Sequence, residues 1–577
     1  MESGRVISDS NSAANASDTS VHSAHTEKDS ATPSPHRLQW FFHCLAALAL
    51  LVILFLQLYL GVRNKSATLD EQNHIARGLA LLRTGDTRMN LIHPPLINVI
   101  SALPLFRDKG VKLPLDDISW KIGDYNGFGV QFMWVVNDNG PAIVSRARVP
   151  VMILSVLLGA LIFIWTFQLA GPMPAILALS FYCFDPNILA NGALATNDLG
   201  MAFFTCLAAY AFWQLLSRPG WLRASLAGAA LGLALTAKFS AIFLVAALPA
   251  IALGVWLATP KQDRAIPRPK RLALLAAVLL GSAFIALWAA YGFQIHYAPF
   301  TGFPVPAQAY LDGLDVSRAS VFGDSPAFLL GSYSRTGWWC YFPIAFLVKT
   351  PLPALILIAG SIIFAFIERA WNPIAILLTP VVIYFALAIS SPLNIGYRHL
   401  LPILPFLFVF AGRFAIFKGS RFRWIQFTPI LLAAWLIAGT IRTYPNYLTY
   451  FNEAAGGPSG GARILADSNL DWGQDLPGLR EYMTREKIDS IRLSYFGSAH
   501  PEAYGISNFD PLPSYPYNYH GVEKKVSELS HPPPGVYAIS VTNLQGVFFK
   551  DHDLYKWFRD RAADAVIGHT IYVYRVK

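Results

Sequence analysis

Apolar residues recur along the chain in runs at about 38–62, 148–170, 172–190, 198–217, 222–237, 239–258, 272–292, 342–366, 373–391, 399–417 and 425–442. Most approach the ~20 residues that a helix needs to cross a bilayer. The pattern predicts a polytopic α-helical membrane protein with about 11 transmembrane helices. Residues 63–140 interrupt it with a loop too long to be a connector. There, "DEQNHIARGLALLRTG" sets Ile75, Leu79 and Leu82 on one side of a helix that ends at Gly85, and "HPPLINVISALPLF" (93–106) starts on Pro94 and Pro95 but is too short to span. Both read as interfacial helices.

A second loop covers 293–341, and beyond 442 the pattern changes. "DLPGLREYMTREK" and "HDLYKWFRDRA" carry helical spacing, whereas "IRLSYFG", "GVYAISVTN" and "TIYVYRV" read as strands. Residues 443–577 therefore predict a small C-terminal extracytoplasmic α/β domain. Residues 1–37, rich in Ser, Ala, Asn, Asp and Thr, hold too little apolar surface to fold and predict a disordered cytoplasmic tail. The first apolar run is too long, and starts too far from Met1, for a cleaved signal peptide, so it reads as a retained helix. No repeat of 20 to 50 residues is present.

Composition agrees. Hydrophobic residues make up 54% of the 577 and charged ones 14%, and the mean hydropathy is +0.41, which excludes an ordinary soluble domain. Much of the net charge of +10 lies in the connections 217–224, 261–272, 368–373 and 412–424. The positive-inside rule makes these cytoplasmic, with the N-terminus inside and the C-terminal domain outside the cytoplasmic (inner) membrane. The charge is a topology signal and predicts no nucleic-acid partner. Cys44, Cys183, Cys206 and Cys340 sit in apolar surroundings without paired spacing, which suits packing better than a disulfide or zinc site.

Candidate chemistry begins just beyond the first run. Asp70, Glu71 and His74 are three and four residues apart, so on a helix they line one patch that could hold a general base. The alternative is an ordinary helix start, with Thr68 or Asp70 capping and the acids complementing the dipole. Ionisable residues in apolar context carry more weight, because they are costly in a bilayer. Asp198, Lys238, Arg398, His399, Arg146 and Arg148 fall at outer ends of their spans, and Lys349 about a turn and a half inside. Single members could be snorkelling, but several basic groups on the side where they are scarce suggest an anion such as a phosphate leaving group. No Gly-rich phosphate loop follows a strand, so a donor used outside would arrive as a sugar on a lipid phosphate.

The pairing of "DEQNH" with "HPPL", followed by "ATNDL" and "LTAKFSAIF", resembles the GT-C superfamily of polytopic glycosyltransferases, in particular the protein O-mannosyltransferase and aminoarabinose-transferase-like group. "GWWCYFPIAFLVKTPLP", "NIGYRHLLPILP", "YPNYLTYFNEAAGGP" and "DSNLDWGQDLPGL" resemble a bacterial subgroup of phospholipid-carrier-dependent glycosyltransferases, and the likeness covers roughly residues 40–480. It implies a GT-C-like fold and inverting transfer of a sugar from a polyprenyl phosphate to an acceptor at the outer face. Asp70 matches the catalytic acid and Glu71 its neighbour; Arg148, Lys349 and Arg398 would contact the donor phosphate. His74, His93 of "HPPL", Asp198, Lys238 and His399 complete the substrate-binding candidates.

"DSNLDWGQDL" adds Asp467, Asp471 and Asp475 as acceptor-side candidates. They could instead form a loop and helix start, with Asp475 capping the helix from Leu476. No metal ligand is assigned and no cofactor follows, a divalent cation on these acids being the one candidate; the spacing departs from a calcium loop. The expected partners are the polyprenyl-phosphate-linked sugar, membrane lipid, and an acceptor protein, lipid or glycan. A transporter or flippase of a lipid-linked or anionic substrate, and a non-catalytic assembly subunit, are the competing readings; the large outer loop and the lack of an inverted repeat speak against transport.

Overall fold

The computed structural model describes residues 35–263, 268–297, 303–323, 325–414, 427–516 and 522–577. Nearly all of the expected tail, and parts of the basic connections at 261–272 and 412–424, lie outside these residues. Met1–Phe42 and His43–Lys577 are separate units, and the loops 63–140 and 293–341, the C-terminal sheet and the candidate site all belong to the second.

Where described, the predicted apolar runs fall largely on helix. Among the described residues, six helices are long and apolar enough to cross a membrane: Gln39–Val62, Gly140–Ala170, Asn197–Ser217, Phe239–Ala258, Pro269–Ala290 and Trp371–Ile389. The other runs are shorter or broken, and the breaks have local causes. Pro351 forces Thr350 into extended backbone, so Tyr341–Lys349 and Leu352–Ile367 meet at 112°. Asp185 accepts from the backbone N–H groups of Asn187 and Ile188 and starts a new helix, Pro186–Asn191, beyond Pro172–Cys183. A 3₁₀ segment, Tyr397–Ile403, precedes Leu404–Phe414 and carries Arg398 and His399.

The membrane-helix core is built around Leu158, Trp165, Tyr182, Phe406 and Phe410, all buried. Small residues let helices approach closely: a Cβ on Gly228 of the Trp221–Ala237 helix would stand 2.1 Å from the Leu279 carbonyl oxygen.

In the loop 63–140 the first predicted interfacial helix does not lie on a surface. This helix, Glu71–Thr84, is buried on every face from Glu71 to Ala80, because Leu96–Ala102 and Tyr125–Val130 pack on it. Gly78 makes room for the first of these; a Cβ there would meet the Asn98 carbonyl oxygen at 1.9 Å.

Strands β1 (Ile295–Tyr297) and β2 (Pro304–Pro306) form one antiparallel pair, and β3 (Ala327–Leu329) and β4 (Ser332–Ser334) another. The C-terminal sheet has the order β6-β5-β7-β9-β8, from β5 (Ile491–Ser494), β6 (Phe509–Pro511), β7 (Gly535–Ser540), β8 (Ala565–Ile567) and β9 (Ile571–Val576). β5 runs parallel to β6 and β7, and β9 antiparallel to β7 and β8. The helix Leu476–Arg485 covers one face, and one apolar cluster joins its Leu476 and Leu479 and the sheet's Leu493 and Val573 to Ile75, Leu79 and Phe128 of the loop 63–140. The sheet is thus anchored directly above the Asp70 helix.

Candidate functional site

Asp70 is placed from both sides of the chain. The backbone N–H groups of Ser66 and Leu69 donate to the carbonyls of Gln474 and Trp472 at 2.9 and 3.0 Å, and the Ser66 hydroxyl donates to Gly473 O at 2.7 Å. Asp70 occupies the cap position of its helix without making a side-chain cap hydrogen bond. Glu71 reaches back instead, accepting from Thr68 N at 2.8 Å and Thr68 Oγ1 at 3.0 Å. The Asp70 side chain keeps 31% exposure and accepts from Arg398 Nη1 at 3.1 Å.

Arg398 gathers the rest. Its Nη1 also lies 3.4 Å from Asp198 Oδ2, its Nε donates to Ser468 Oγ at 3.2 Å, and its guanidinium stacks over Trp472 at 4.1 Å. Lys238, at the junction of two helical segments, donates to Asp198 Oδ1 at 2.6 Å. Two acids and two bases from four separate elements therefore form one alternating cluster. Asp198 sits in the first turn of its helix, where the backbone dipole favours a negative charge.

His74 and His93 stand beside the cluster with ring centroids 5.2 Å apart, and His74 Nδ1 is 2.9 Å from Asn98 Oδ1. Burial, reinforced by Arg77, lowers the His74 imidazole to about 4; burial and His74 hold His93 well below its usual value. Both rings are neutral at neutral pH. His399 Nε2 is buried without a hydrogen-bond partner among the described residues.

Several residues predicted for substrate contact are committed elsewhere. The Glu71 carboxylate is fully buried and also accepts from Arg148 Nε at 2.8 Å, Arg148 Nη2 at 2.7 Å and Ala195 N at 2.9 Å. Burial would raise its carboxyl, but the Arg148 charge and these hydrogen bonds hold it below the usual value. Arg148 spends its remaining donors on the carbonyls of Val62, Lys65 and Ser66. The pair is closed on itself, leaving neither a free carboxylate edge nor a free guanidinium edge.

Lys349 is likewise buried and donates to Leu448 O at 2.9 Å and Asn469 O at 2.5 Å, with Phe451 beneath it at 4.6 Å. It ties the segment after the last helix to the membrane core. Arg146 pairs with Asp108 at 2.6 Å, both partly exposed.

The three acids of "DSNLDWGQDL" diverge. Asp475 makes no cap hydrogen bond and instead takes Lys65 Nζ at 2.5 Å and Thr570 Oγ1 at 2.7 Å. Asp471 accepts from Thr542 N at 3.0 Å. Asp467 alone faces Arg398 and Asp70 electrostatically; burial lifts its carboxyl to about 7 and that of Asp471 to about 8. Among the described residues no three His, Cys, Asp or Glu come together as a metal site.

Ser468, Trp472 and Asn98 take part without having been expected. Ser468 and Trp472 lie inside the quoted aspartate stretch, and only the fold shows them holding Arg398.

Residues 115–300, which include Arg148, Asp198 and Lys238, match the family described as dolichyl-phosphate-mannose-protein mannosyltransferase, PMT. No curated protein matches the chain. Among solved structures, ArnT from Cupriavidus metallidurans in the apo state is 12% identical, with 93% of this chain and 98% of that one covered and a TM-score of 0.46. The same protein bound to undecaprenyl phosphate gives 12%, 93%, 97% and 0.44. The Archaeoglobus fulgidus oligosaccharyltransferase AglB, in complex with an inhibitory peptide and a dolichol-phosphate, gives 12%, 83%, 62% and 0.43. The resemblance to the protein O-mannosyltransferase group is borne out over residues 115–300, the stretch that holds "ATNDL" and "LTAKFSAIF" and is similar in sequence to that family.

Proposed function

We propose that the protein transfers a sugar from a polyprenyl phosphate to an acceptor hydroxyl or headgroup, by a single inverting displacement at the extracytoplasmic face of the cytoplasmic membrane. The observation that carries the reading is the part-exposed Asp70 carboxylate held 3.1 Å from Arg398, which shares Asp198 with Lys238. The PMT match supports the substrate class.

In this reading Asp70 takes the proton of the acceptor hydroxyl as its oxygen attacks the anomeric carbon. The bond from that carbon to the phosphate oxygen breaks, and the electron pair leaves with the polyprenyl phosphate. Lys238 and Arg398 receive the growing charge; Asp198 fixes both without using all their donors. Neutral His74 and His93 contribute polar contacts to the sugar. Glu71 and Arg148 are positioning residues that set the start of the Asp70 helix. The sidedness, with the N-terminus cytoplasmic, is supported by the Lys and Arg of the connections 217–224, 261–272, 368–373 and 412–424 in the sequence, which the positive-inside rule assigns to the cytoplasm.

The test is transfer by the purified full-length chain from a panel of synthetic polyprenyl-phosphate sugars, comparing wild type with Asp70→Asn. The reading requires turnover by wild type and a loss of at least 100-fold in the variant, with binding of the lipid phosphate retained. Movement of the lipid across a vesicle without a glycosylated product would favour transport instead.

A further inference from the structure

Three arginines are buried among the described residues: Arg77, Arg148 and Arg398. Arg148 and Arg398 have carboxylate partners. Arg77 makes no ion pair or hydrogen bond among the described residues, its Nε and Nη1 are buried without partners, and its only seat is the face of Tyr125, 4.1 Å from the guanidinium carbon. Arg83, six residues further along the same helix, shows the usual solution: it donates to the carbonyls of Phe106, Leu105, Asp108 and Val111. The Asp70 carboxylate acts on Arg77 only through its field, with no direct ion pair; a buried charge without a direct counter-ion or hydrogen bonds is costly, and an aromatic face returns only part of that cost.

The position of Arg77 says what would compensate it. Asp70, His74 and Arg77 stand at i, i+4 and i+7, one stripe along the start of the Glu71–Thr84 helix, and seven residues of helix advance about 10 Å. Asp70 is part-exposed whereas His74 and Arg77 are buried, so a molecule whose hydroxyl meets Asp70 and whose far end displaces part of the packing over this helix brings that end to Arg77. The cations assigned to the donor phosphate, Lys238 and Arg398, come from other elements and are already paired through Asp198.

We infer that Arg77, seated on Tyr125, is an acceptor subsite that binds an anionic group, a carboxylate or a phosphate, so that the acceptor is an anionic molecule. This rests on the transfer reading only for the word acceptor; the anion site itself stands on the unpaired guanidinium. Burial lowers the Arg77 guanidinium to about 10, still charged at neutral pH.

The test measures thermal unfolding of the purified full-length chain in detergent, for wild type and Arg77→Met, with inorganic phosphate as the probe and undecaprenyl phosphate as the donor surrogate. A ligand that binds only the folded state raises its unfolding temperature. Inorganic phosphate is expected to raise that of wild type by several degrees, and to do so equally with undecaprenyl phosphate saturating. It should leave Arg77→Met unmoved, and in phosphate-free buffer this variant should unfold no lower than wild type, because the uncompensated charge is gone.

The inference is overturned by a wild type indifferent to phosphate, or by a phosphate response that survives Arg77→Met. Loss of the response once undecaprenyl phosphate is bound would assign Arg77 to the donor and overturn the acceptor subsite. An Arg77→Met chain that unfolds well below wild type, or does not fold, would make the guanidinium a structural prop. Undecaprenyl phosphate failing to shift wild type counts against the transfer reading and leaves the anion site standing.

Discussion

Arg398 Nη1 stands 3.1 Å from Asp70 Oδ2 although 328 residues separate the two along the chain. The same nitrogen reaches Asp198 Oδ2, so the loop 63–140 and two membrane segments meet at a single guanidinium. Stacking on Trp472 and the bond to Ser468 hold its plane. The segment that follows the last membrane helix therefore sets the geometry at a carboxylate that follows the first.

Replacing Arg398 by Lys tests that dependence. A lysine keeps the charge but lacks the planar fork needed to serve Asp70, Asp198 and Ser468 together. Turnover should fall at least 10-fold in Arg398→Lys, with the unfolding temperature reduced by a few degrees at most, as measured by transfer and thermal unfolding in parallel. Equal turnover would separate Asp70 from Arg398.

The adjacent acids Asp70 and Glu71 should respond in opposite ways. Glu71→Gln leaves Arg148 buried without its counter-charge, which costs about 3–5 kcal/mol, whereas Asp70→Asn removes a part-exposed group with one long ion pair. Thermal unfolding should show Glu71→Gln far below wild type and Asp70→Asn close to it, and transfer assays should show the loss of turnover in Asp70→Asn. A stable Glu71→Gln chain would refute the positioning role.

Much of this site was legible in the sequence, and what was not has a common cause. Asp70, Asp198, Lys238 and Arg398 stand out because an ionisable group beside an apolar run is costly unless it is used, and the fold brings them together. That same cost does not tell a ligand contact from an internal tie. Arg148 and Lys349 are equally anomalous in the sequence, yet one neutralises Glu71 and the other satisfies two backbone carbonyls. Arg77 escaped notice for the converse reason: in "HIARGLALL" it reads as the wet face of an interfacial helix, and only the packing of Leu96–Ala102 and Tyr125–Val130 makes that face internal. The helix breaks at Asp185 and Thr350 were written in local residues, whereas the short strands β6 and β8, three residues each, carry too little periodicity to be read.

Lys349 supplies a test of that distinction. Lys349→Met leaves the Leu448 and Asn469 carbonyls without their donor, and buried acceptors stripped of a partner cost about 1–3 kcal/mol each. The variant should unfold at a lower temperature but bind undecaprenyl phosphate with wild-type affinity below that temperature. A 10-fold weaker lipid phosphate affinity would restore Lys349 to the donor site.

Asp471 predicts a pH dependence of stability whose sign comes from burial. Its carboxyl is raised from 3.8 to about 8 in the folded chain, so between these values the folded state holds a proton that the unfolded state has lost. Stability then falls as pH rises through this window, by at most about 1.4 kcal/mol per pH unit, and levels off above it. Asp467, raised to about 7, contributes in the same direction over a narrower range. Asn at position 471 does not titrate, and its side-chain oxygen can still accept from Thr542 N. The advantage of Asp471→Asn over wild type in unfolding temperature should therefore grow from pH 4 to pH 8 and stay constant above, and a difference independent of pH would mean that Asp471 is ionised in the folded chain throughout.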